Sequence, residues 1–284
     1  MASKRIASTA VLLAAFAMPA SAQPTSSDRI QMYFGDWHAS APRIVYGTLE
    51  ERDILTKGDA LHPSHKGGVL HFINSYSFAT FPPGVSTKPA RLTGQQEILY
   101  IASDRGTANA AGESAELHPG VAVLLPANLE FILKNTSRDP LSFYLVNEPT
   151  QPGFRPNPKM LVKDENLLPI TSSSGLWDHI VKTIFVTADG LSTLESFLTV
   201  ALDPLTMGRP HVHLSEQDQI EEVWTGLEGT RIAFIGTQLF RQGPGVAYIH
   251  PPDHKTPHTN LNYSEEEQVK FLYFARYRPH ADRQ

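Results

Sequence analysis

The chain has 284 residues, of which 41% are hydrophobic, and this is enough for two hydrophobic cores of ordinary size. Its formal net charge is -5 at pH 7 and it has no basic cluster. A nucleic-acid partner is therefore not expected, because phosphate binding depends on lysine and arginine. The absence of cysteine excludes disulfides and thiolate chemistry.

The first 22 residues have the pattern of a secretory signal peptide. Lys4 and Arg5 precede a short apolar run over residues 10–17, and residues 20–22 close the segment as Ala-Ser-Ala. A membrane anchor would need a longer apolar stretch. We therefore expect cleavage after Ala22, a secreted or periplasmic protein, and no membrane anchor in the mature chain.

Short strand-like runs dominate the rest of the chain. They are rich in branched and aromatic residues and are bounded by Gly, Pro, Asn and Asp. They cover residues 68–73, 97–101, 120–125, 141–146, 181–186, 197–200, 231–235 and 270–274. Because long helical periodicity is absent, the pattern predicts an all-β protein made of two tandem jelly-roll barrels. The assigned parts are an N-terminal arm over residues 23–44, a first barrel over 45–149, a proline-rich linker over 150–172 and a second barrel over 173–284.

Two segments of the chain share one skeleton at an offset of 125 positions. In each copy, a glutamate is followed after 23 positions by a glycine, and after six more by a proline. These residues are Glu97, Gly120 and Pro126 in the first copy, and Glu222, Gly245 and Pro251 in the second. An asparagine closes each copy, Asn135 and Asn262, with two extra residues in the second. Such self-similarity is the signature of a duplicated structural unit.

Only the second copy carries closely spaced histidines. Residues 208–213 read Gly-Arg-Pro-His-Val-His, and they are followed by Glu222, Gly229, Gly245, Pro251, His258 and Asn262. This series resembles the two motifs of the cupin family, the first with Gly, His-x-His, Glu and Gly, and the second with Gly, Pro, His and Asn. The resemblance implies a bicupin, which has two double-stranded β-helix (jelly-roll) barrels, with a metal-binding motif only in its C-terminal cupin.

Two departures from the family pattern bear on the site. Eight residues separate His213 from Glu222 where the family has three or four, which predicts a four-residue loop insertion. The glycine that the family has between Pro251 and His258 is missing, so His254 stays open as an alternative to His258.

The four candidate ligands are His211, His213, Glu222 and His258. Alternate residues of a strand face the same side, so His211 and His213 can both point into a barrel. Glu222 opens a strand-like run and can bring a carboxylate from a neighbouring strand, and His258 would supply a third imidazole. Three nitrogens and one carboxylate suit one divalent transition metal, either Fe, Mn, Cu, Ni or Zn.

The first copy lacks these ligands. A constant offset of 125 places Ser86 and Lys88 at the positions of His211 and His213, and the position four before Asn135 is Phe131. Only Glu97 remains, so this barrel is predicted to be metal-free, and Glu97 could pair with Lys88.

Other polar residues have less specific interpretations. His62 and His65 are interpreted as parts of a polar loop and not as a second metal site. Arg209, His250 and His254 are candidates for hydrogen bonding to a ligand imidazole or for contact with a substrate. Trp224 and Tyr248 could line the pocket or serve as core aromatics.

The metal motif favours an exported metal-dependent oxygenase of the dioxygenase type, which acts on a small oxygen-rich organic molecule. The alternatives are a metal-dependent isomerase, lyase or decarboxylase acting on a sugar or an organic acid, and a non-catalytic binding bicupin. Metal identity separates the first two. Because cupin-like barrels often pair, a homodimer in which residues 23–45 form an exchanged arm is a further hypothesis.

Overall fold

The computed structural model describes residues 26–171, 179–213 and 220–277. The predicted signal peptide and most of the predicted loop insertion lie outside these ranges. Within them the chain forms β-strands, short 3-10 turns and the six-residue helix α1 (Ser26–Gln31), which confirms the all-β prediction. None of the described helices combines the length and the apolar character of a membrane span.

The strands fall into two groups along the chain. The first group is β1 (Phe34–Asp36), β2 (Pro42–Val45), β3 (Leu49–Lys57), β4 (Gly68–Leu70), β5 (Ser75–Phe81), β6 (Ala90–Arg91), β7 (Gln95–Ser103), β8 (Gly106–Ala110), β9 (Glu113–Leu117), β10 (Val121–Leu125), β11 (Glu130–Asn135) and β12 (Leu141–Pro149). The second group is β13 (Leu161–Asp164), β14 (Ile180–Val186), β15 (Ser196–Leu202), β16 (Glu221–Glu228), β17 (Arg231–Ile235), β18 (Gln238–Gln242), β19 (Val246–Ile249), β20 (His258–Leu261) and β21 (Val269–Arg276). The 3-10 turns are Trp37–Ala39, Glu165–Leu167 and Thr187–Asp189.

Each barrel consists of a large sheet and a small sheet that enclose an apolar interior. In the first barrel the large sheet has the order β13-β10-β7-β12-β5-β3-β2, with β4 beside β3, and the small sheet has the order β6-β11-β8-β9. In the second barrel the orders are β1-β19-β16-β21-β15-β14 and β18-β17-β20. Leu99, Phe131 and Phe143 lie in the first interior, and Trp224 and Phe271 lie in the second.

The two large sheets pack against each other through a shared hydrophobic core. Alternation along β21 sends Phe271 and Tyr273 into the second barrel, while Leu272 and Phe274 face the first barrel. Phe274 makes an edge contact with Tyr76 of β5, with ring centroids 4.9 Å apart. Burial on both faces explains why these strands have nearly continuous apolar sequences.

Each half of the chain contributes its leading strand to the large sheet of the other half. β1 pairs antiparallel with β19 of the second barrel, and Asp36 lies opposite Val246. In the same way β13, which lies in the predicted linker, pairs with β10 of the first barrel, and Asp164 lies opposite Val121. Within the predicted N-terminal arm, β1 thus joins the second barrel, whereas β2 pairs with β3 of the first barrel.

The repeated glycines lie where these leading segments cross the opposite barrel. Gly120 has a φ of 91° and Gly245 a φ of 80°, a region that favours glycine. A Cβ at Gly120 would lie 2.6 Å from Nδ2 of Asn166, and one at Gly245 would lie 2.3 Å from Nε1 of Trp37. The glycines of the repeat are therefore required by equivalent close contacts in the two halves.

Two buried glutamates join the barrels reciprocally. Glu148, at the end of β12, accepts hydrogen bonds from the backbone N–H groups of residues 192–194 in the second half, at 2.8–3.0 Å. Glu221, at the start of β16, accepts from the backbone N–H groups of residues 71–73 in the first half. Each carboxylate thereby satisfies donors of a loop that belongs to the other barrel.

Candidate metal centre

Three strand segments bring the four predicted ligands together in the second barrel. His211 and His258 exchange backbone hydrogen bonds of 3.3 and 3.0 Å, which places the His211 segment beside β20. Glu222 points into the barrel because its neighbours in β16, Glu221 and Val223, face the first barrel. One donor atom from each of His211, His213, Glu222 and His258 lies within 4.8 Å of the others.

The carboxylate of Glu222 lies between two of the imidazoles. Its Oε2 is 3.1 Å from Nε2 of His213, and its Oε1 is 3.1 Å from Nε2 of His258. Burial opposes ionisation of Glu222, but hydrogen bonds from the two histidines hold the pKa of this carboxyl well below its usual range. Glu222 is therefore available as an anionic ligand.

Further hydrogen bonds fix the orientation of the ligands. Trp224 donates through Nε1 to Oε1 of Glu222 at 2.5 Å, and the hydroxyl of Tyr277 donates to Oε2 at 2.9 Å. Nδ1 of His211 lies 3.0 Å from the carbonyl oxygen of Arg209, so a proton on Nδ1 leaves Nε2 with its lone pair free for a metal.

The donor set fits a divalent transition metal. Three imidazoles and one anionic carboxylate converge, and such donors bind Fe, Mn, Cu, Ni and Zn. These four donors would fill only part of a five- or six-coordinate shell, so a bound ion would keep a position for water or substrate. The second barrel therefore contains a His/Glu group that could hold a metal.

The remaining candidates lie in different places around this group. His250 is buried, and its ring is stacked on that of His258 with centroids 4.5 Å apart. Burial and the neighbouring His258 hold the pKa of His250 well below its usual range, which keeps the ring neutral. Arg209 is exposed and contributes its backbone carbonyl, while His254 is half-buried and is not a member of the four-residue group.

A cavity of about 220 Å³ opens beside the metal-binding group. Its walls come from β14, β15, β16 and β21 together with two histidines and the residue that follows β21. The lining residues are His179, Val181, Ser196, Leu198, Val200, His211, Glu222, Trp224, Tyr273 and Tyr277. Of the two predicted pocket aromatics, Trp224 lines this cavity, whereas Tyr248 is buried in the core and hydrogen-bonds to Asn260 at 3.3 Å.

Tyr273 and Tyr277 were not identified from the sequence as site residues. The sequence does contain a signal for them, because every second residue of β21 faces the interior of the second barrel: Phe271, Tyr273 and Ala275. Tyr277 continues this period of two and lines the cavity. The hydrogen bond from Tyr277 to Glu222 spans 55 positions, and local patterns carry no information about such a contact.

Different residues from those predicted occupy the ligand positions in the first barrel. Ala90 lies opposite Phe131 in the pairing of β6 with β11, as His211 lies opposite His258. The equivalents of His211 and His213 are therefore Ala90 and Leu92, and the assignment of Ser86 and Lys88 is wrong. Ala90 and Leu92 pack in the apolar core of the first barrel with Phe131, so no imidazole faces Glu97 there.

Glu97 is buried and has neutral hydrogen-bond donors. The hydroxyl of Tyr46 donates to its Oε1 at 2.5 Å, and Nδ2 of Asn147 donates at 3.2 Å. In the described part of the chain the side-chain partners of Glu97 are thus Tyr46 and Asn147, whereas Lys88 is exposed, so the hypothesis of a pair between Glu97 and Lys88 is wrong. His62 and His65 are exposed, and neither belongs to a group of potential metal ligands among the described residues.

The buried Glu97 predicts a pH-dependent contribution to stability. Burial raises the pKa of Glu97 from 4.5 to about 7. Between pH 4.5 and about 7, the folded protein retains a proton on Glu97 that the unfolded chain has released. The contribution of Glu97 to the free energy of unfolding therefore falls as the pH rises through this range, and it is constant above about pH 7. We expect the stability of Glu97→Gln relative to the unsubstituted protein to increase by on the order of 2 kcal/mol from about pH 4.5 to 7.5.

Urea unfolding of both proteins across this pH range measures the difference. Glutamine retains an oxygen that can accept from Tyr46, so the substitution chiefly removes the titrating proton. Parallel pH profiles of the two proteins would contradict the prediction.

The sequence matches no protein-family model and no curated protein. The structure is similar to that of a deletion mutant of oxalate decarboxylase from Bacillus subtilis, with a TM-score of 0.64, 12% identity, and coverage of 86% of this chain and 77% of the other. It is also similar to vicilin from hazelnut, Corylus avellana, with a TM-score of 0.63, 12% identity, and coverage of 86% and 85%. Ylba from E. coli has a TM-score of 0.63, 13% identity, and coverage of 86% and 89%.

At these identities the similarity concerns the fold. All three proteins share the jelly-roll architecture across most of the present chain, and two such barrels follow each other in its sequence. The chain therefore has the fold of these proteins, with two jelly-roll barrels in tandem, as in a bicupin.

Proposed function

We propose that this protein is an exported metal-dependent oxygenase that acts on a small organic molecule in its second barrel. The observation that supports the proposal is the group of three histidines and Glu222 at the wall of a cavity of about 220 Å³. A redox metal held by these residues would supply activation of dioxygen next to a substrate.

The protein residues have distinct roles in this proposal. His211, His213, His258 and Glu222 bind the metal. Trp224 and Tyr277 hold the two carboxylate oxygens of Glu222 and so fix its orientation. The apolar walls of the cavity exclude water from the bound substrate. The first barrel, in which the positions equivalent to the three histidines are apolar, serves as a scaffold that buries one face of the catalytic sheet.

Elemental analysis tests the proposal on mature protein purified without a chelator. We expect about one Fe, Mn, Cu or Ni per chain, and loss of this metal in His211→Ala/His213→Ala with an unchanged circular dichroism spectrum. Bound zinc with turnover that needs no dioxygen would replace the oxygenase by a lyase, isomerase or decarboxylase. No metal in the purified protein, and none after reconstitution, would overturn both enzymatic functions.

Export is part of the proposal and has its own test. Expression of the full chain in a bacterium with a periplasm is expected to give mature protein that begins at Gln23. Mass spectrometry of the periplasmic fraction checks the mass of the intact chain. Retention of residues 1–22 in a cytoplasmic product would contradict export.

A further inference from the structure

The walls of the cavity beside the metal-binding group are mostly apolar and aromatic, and they carry no lysine or arginine in the part of the chain that the structure describes. Val181, Leu198 and Val200 come from β14 and β15, and Trp224 and Tyr273 come from β16 and β21. The polar lining residues include His179, Ser196 and the proposed ligand His211. Among the described lining residues, the only acidic group is the carboxylate of the proposed ligand Glu222. A substrate carboxylate lodged away from the metal would therefore lose hydration without gaining a lysine or arginine partner among these residues.

The cavity has room for about one ring. A closed apolar cavity of about 150 Å³ accommodates benzene in an engineered protein. The cavity here is about 220 Å³, which leaves room for a ring with one or two small substituents. It is below the range of roughly 300–1,000 Å³ that is typical of pockets for drug-sized ligands.

A chain of hydrogen bonds defines the polarity at one end of the cavity. The hydroxyl of Tyr277 donates its proton to Glu222, because a carboxylate can only accept. The contact of 2.5 Å between the hydroxyls of Tyr273 and Tyr277 must then use the proton of Tyr273. The oxygen of Tyr273 retains lone pairs, so it can accept a hydrogen bond from a hydroxyl group in the cavity.

We propose that the cavity selects a neutral single-ring molecule that carries a hydroxyl group, such as a phenol, and rejects a ring that carries a carboxylate. This inference rests on the proposed function, because it assigns the substrate class of the same site. The ring lies between the aliphatic and aromatic walls, and its hydroxyl donates to Tyr273. Organic acids are thereby disfavoured as substrates.

Isothermal titration calorimetry tests the inference with a matched pair of probes, 4-methylphenol and 4-hydroxybenzoate. Both have one ring and one hydroxyl, and they differ in whether a methyl or a carboxylate lies opposite. The full chain is titrated first with Zn²⁺, which does not react with dioxygen, and then with each probe. We expect 4-methylphenol to bind at least about 100-fold more tightly than 4-hydroxybenzoate.

Three variants assign the selectivity to the cavity. Tyr273→Phe is expected to weaken binding of 4-methylphenol about fivefold, because it removes one hydrogen-bond acceptor. Tyr144→Phe is the matched control, since Tyr144 is a buried tyrosine outside the cavity whose hydroxyl donates to the carbonyl of Gly226. Leu198→Lys places a cation on the cavity wall and is expected to reverse the preference in favour of 4-hydroxybenzoate.

The outcomes separate the inference from the function on which it rests. Zinc binding with equal or tighter binding of 4-hydroxybenzoate overturns the inference, and so does zinc binding with no binding of either probe. Absence of zinc binding overturns the proposed metal site itself. If Tyr273→Phe and Tyr144→Phe weaken the binding of 4-methylphenol equally, the role assigned to Tyr273 is wrong.

Discussion

Replacement of Glu222 by glutamine is expected to weaken zinc binding by at least about 100-fold. Changes to residues that only orient a metal ligand already reduce affinity by about 10–100-fold, and Glu222 is the single anion among the four proposed ligands. A neutral amide leaves the positive charge of the ion uncompensated in a buried site. Competition with a chromophoric chelator measures the dissociation constant of each protein.

Glu97→Gln is the control for this prediction. Glu97 occupies the position equivalent to Glu222 in the first barrel and is buried to a similar extent. It faces Phe131, Ala90 and Leu92 where Glu222 faces histidines, so its loss should leave the zinc affinity unchanged. Equal weakening by both substitutions would contradict the assignment of the metal to the second barrel.

Replacement of Glu148 by alanine is expected to lower the free energy of unfolding by about 3–5 kcal/mol. The carboxylate of Glu148 is fully buried and accepts from three backbone N–H groups of the other half of the chain. Its removal leaves these donors without partners away from water, and each costs about 1–3 kcal/mol when it is not compensated by water or relaxation. Urea unfolding monitored by circular dichroism measures the change.

Glu113→Ala is the matched control on the surface. Glu113 forms an ion pair with Lys159, and the side chain of Glu113 is 40% exposed. Exposed pairs of this kind contribute about 0–1 kcal/mol, so the change in unfolding free energy should stay within that range. A loss for Glu148→Ala that is no larger than for Glu113→Ala would show that the contacts of Glu148 do not stabilise the pairing of the barrels.

The all-β class and the four candidate ligands could be predicted from the sequence because they depend on local alternation and on repeated spacings. Period-two alternation predicted the strands, and the repeated spacing around Glu222 and Asn262 drew attention to His211, His213 and His258. The structure brings these four side chains together. The barrel topology that unites them was implied by the family resemblance and not by the spacing alone.

The error over Ser86 and Lys88 has a simple cause. An insertion changes the offset between two repeats only for the residues on one side of it. The four-residue insertion predicted between His213 and Glu222 lies in the second copy. For residues that precede it, the offset between the two copies is therefore 121 and not 125, which leads from His211 and His213 to Ala90 and Leu92.

Long-range partners could not be predicted in this way. Glu148 and Glu221 each contact backbone groups in the opposite half of the chain, and any surface glutamate has the same local sequence features. The same is true of β1 and β13, whose partners depend on how the two barrels meet. Such contacts follow from the tertiary arrangement, which a strand pattern does not specify.

The crossed leading strands also bear on the origin of the chain. Two halves that each lend a first strand to the other have the architecture of an arm-swapped dimer whose subunits have been fused end to end. After such a gene fusion, each half is always packed against the other half. One barrel can then lose its metal ligands and still stabilise the other barrel. The apolar core around Ala90, Leu92 and Phe131 is what this division of labour between duplicates would leave behind.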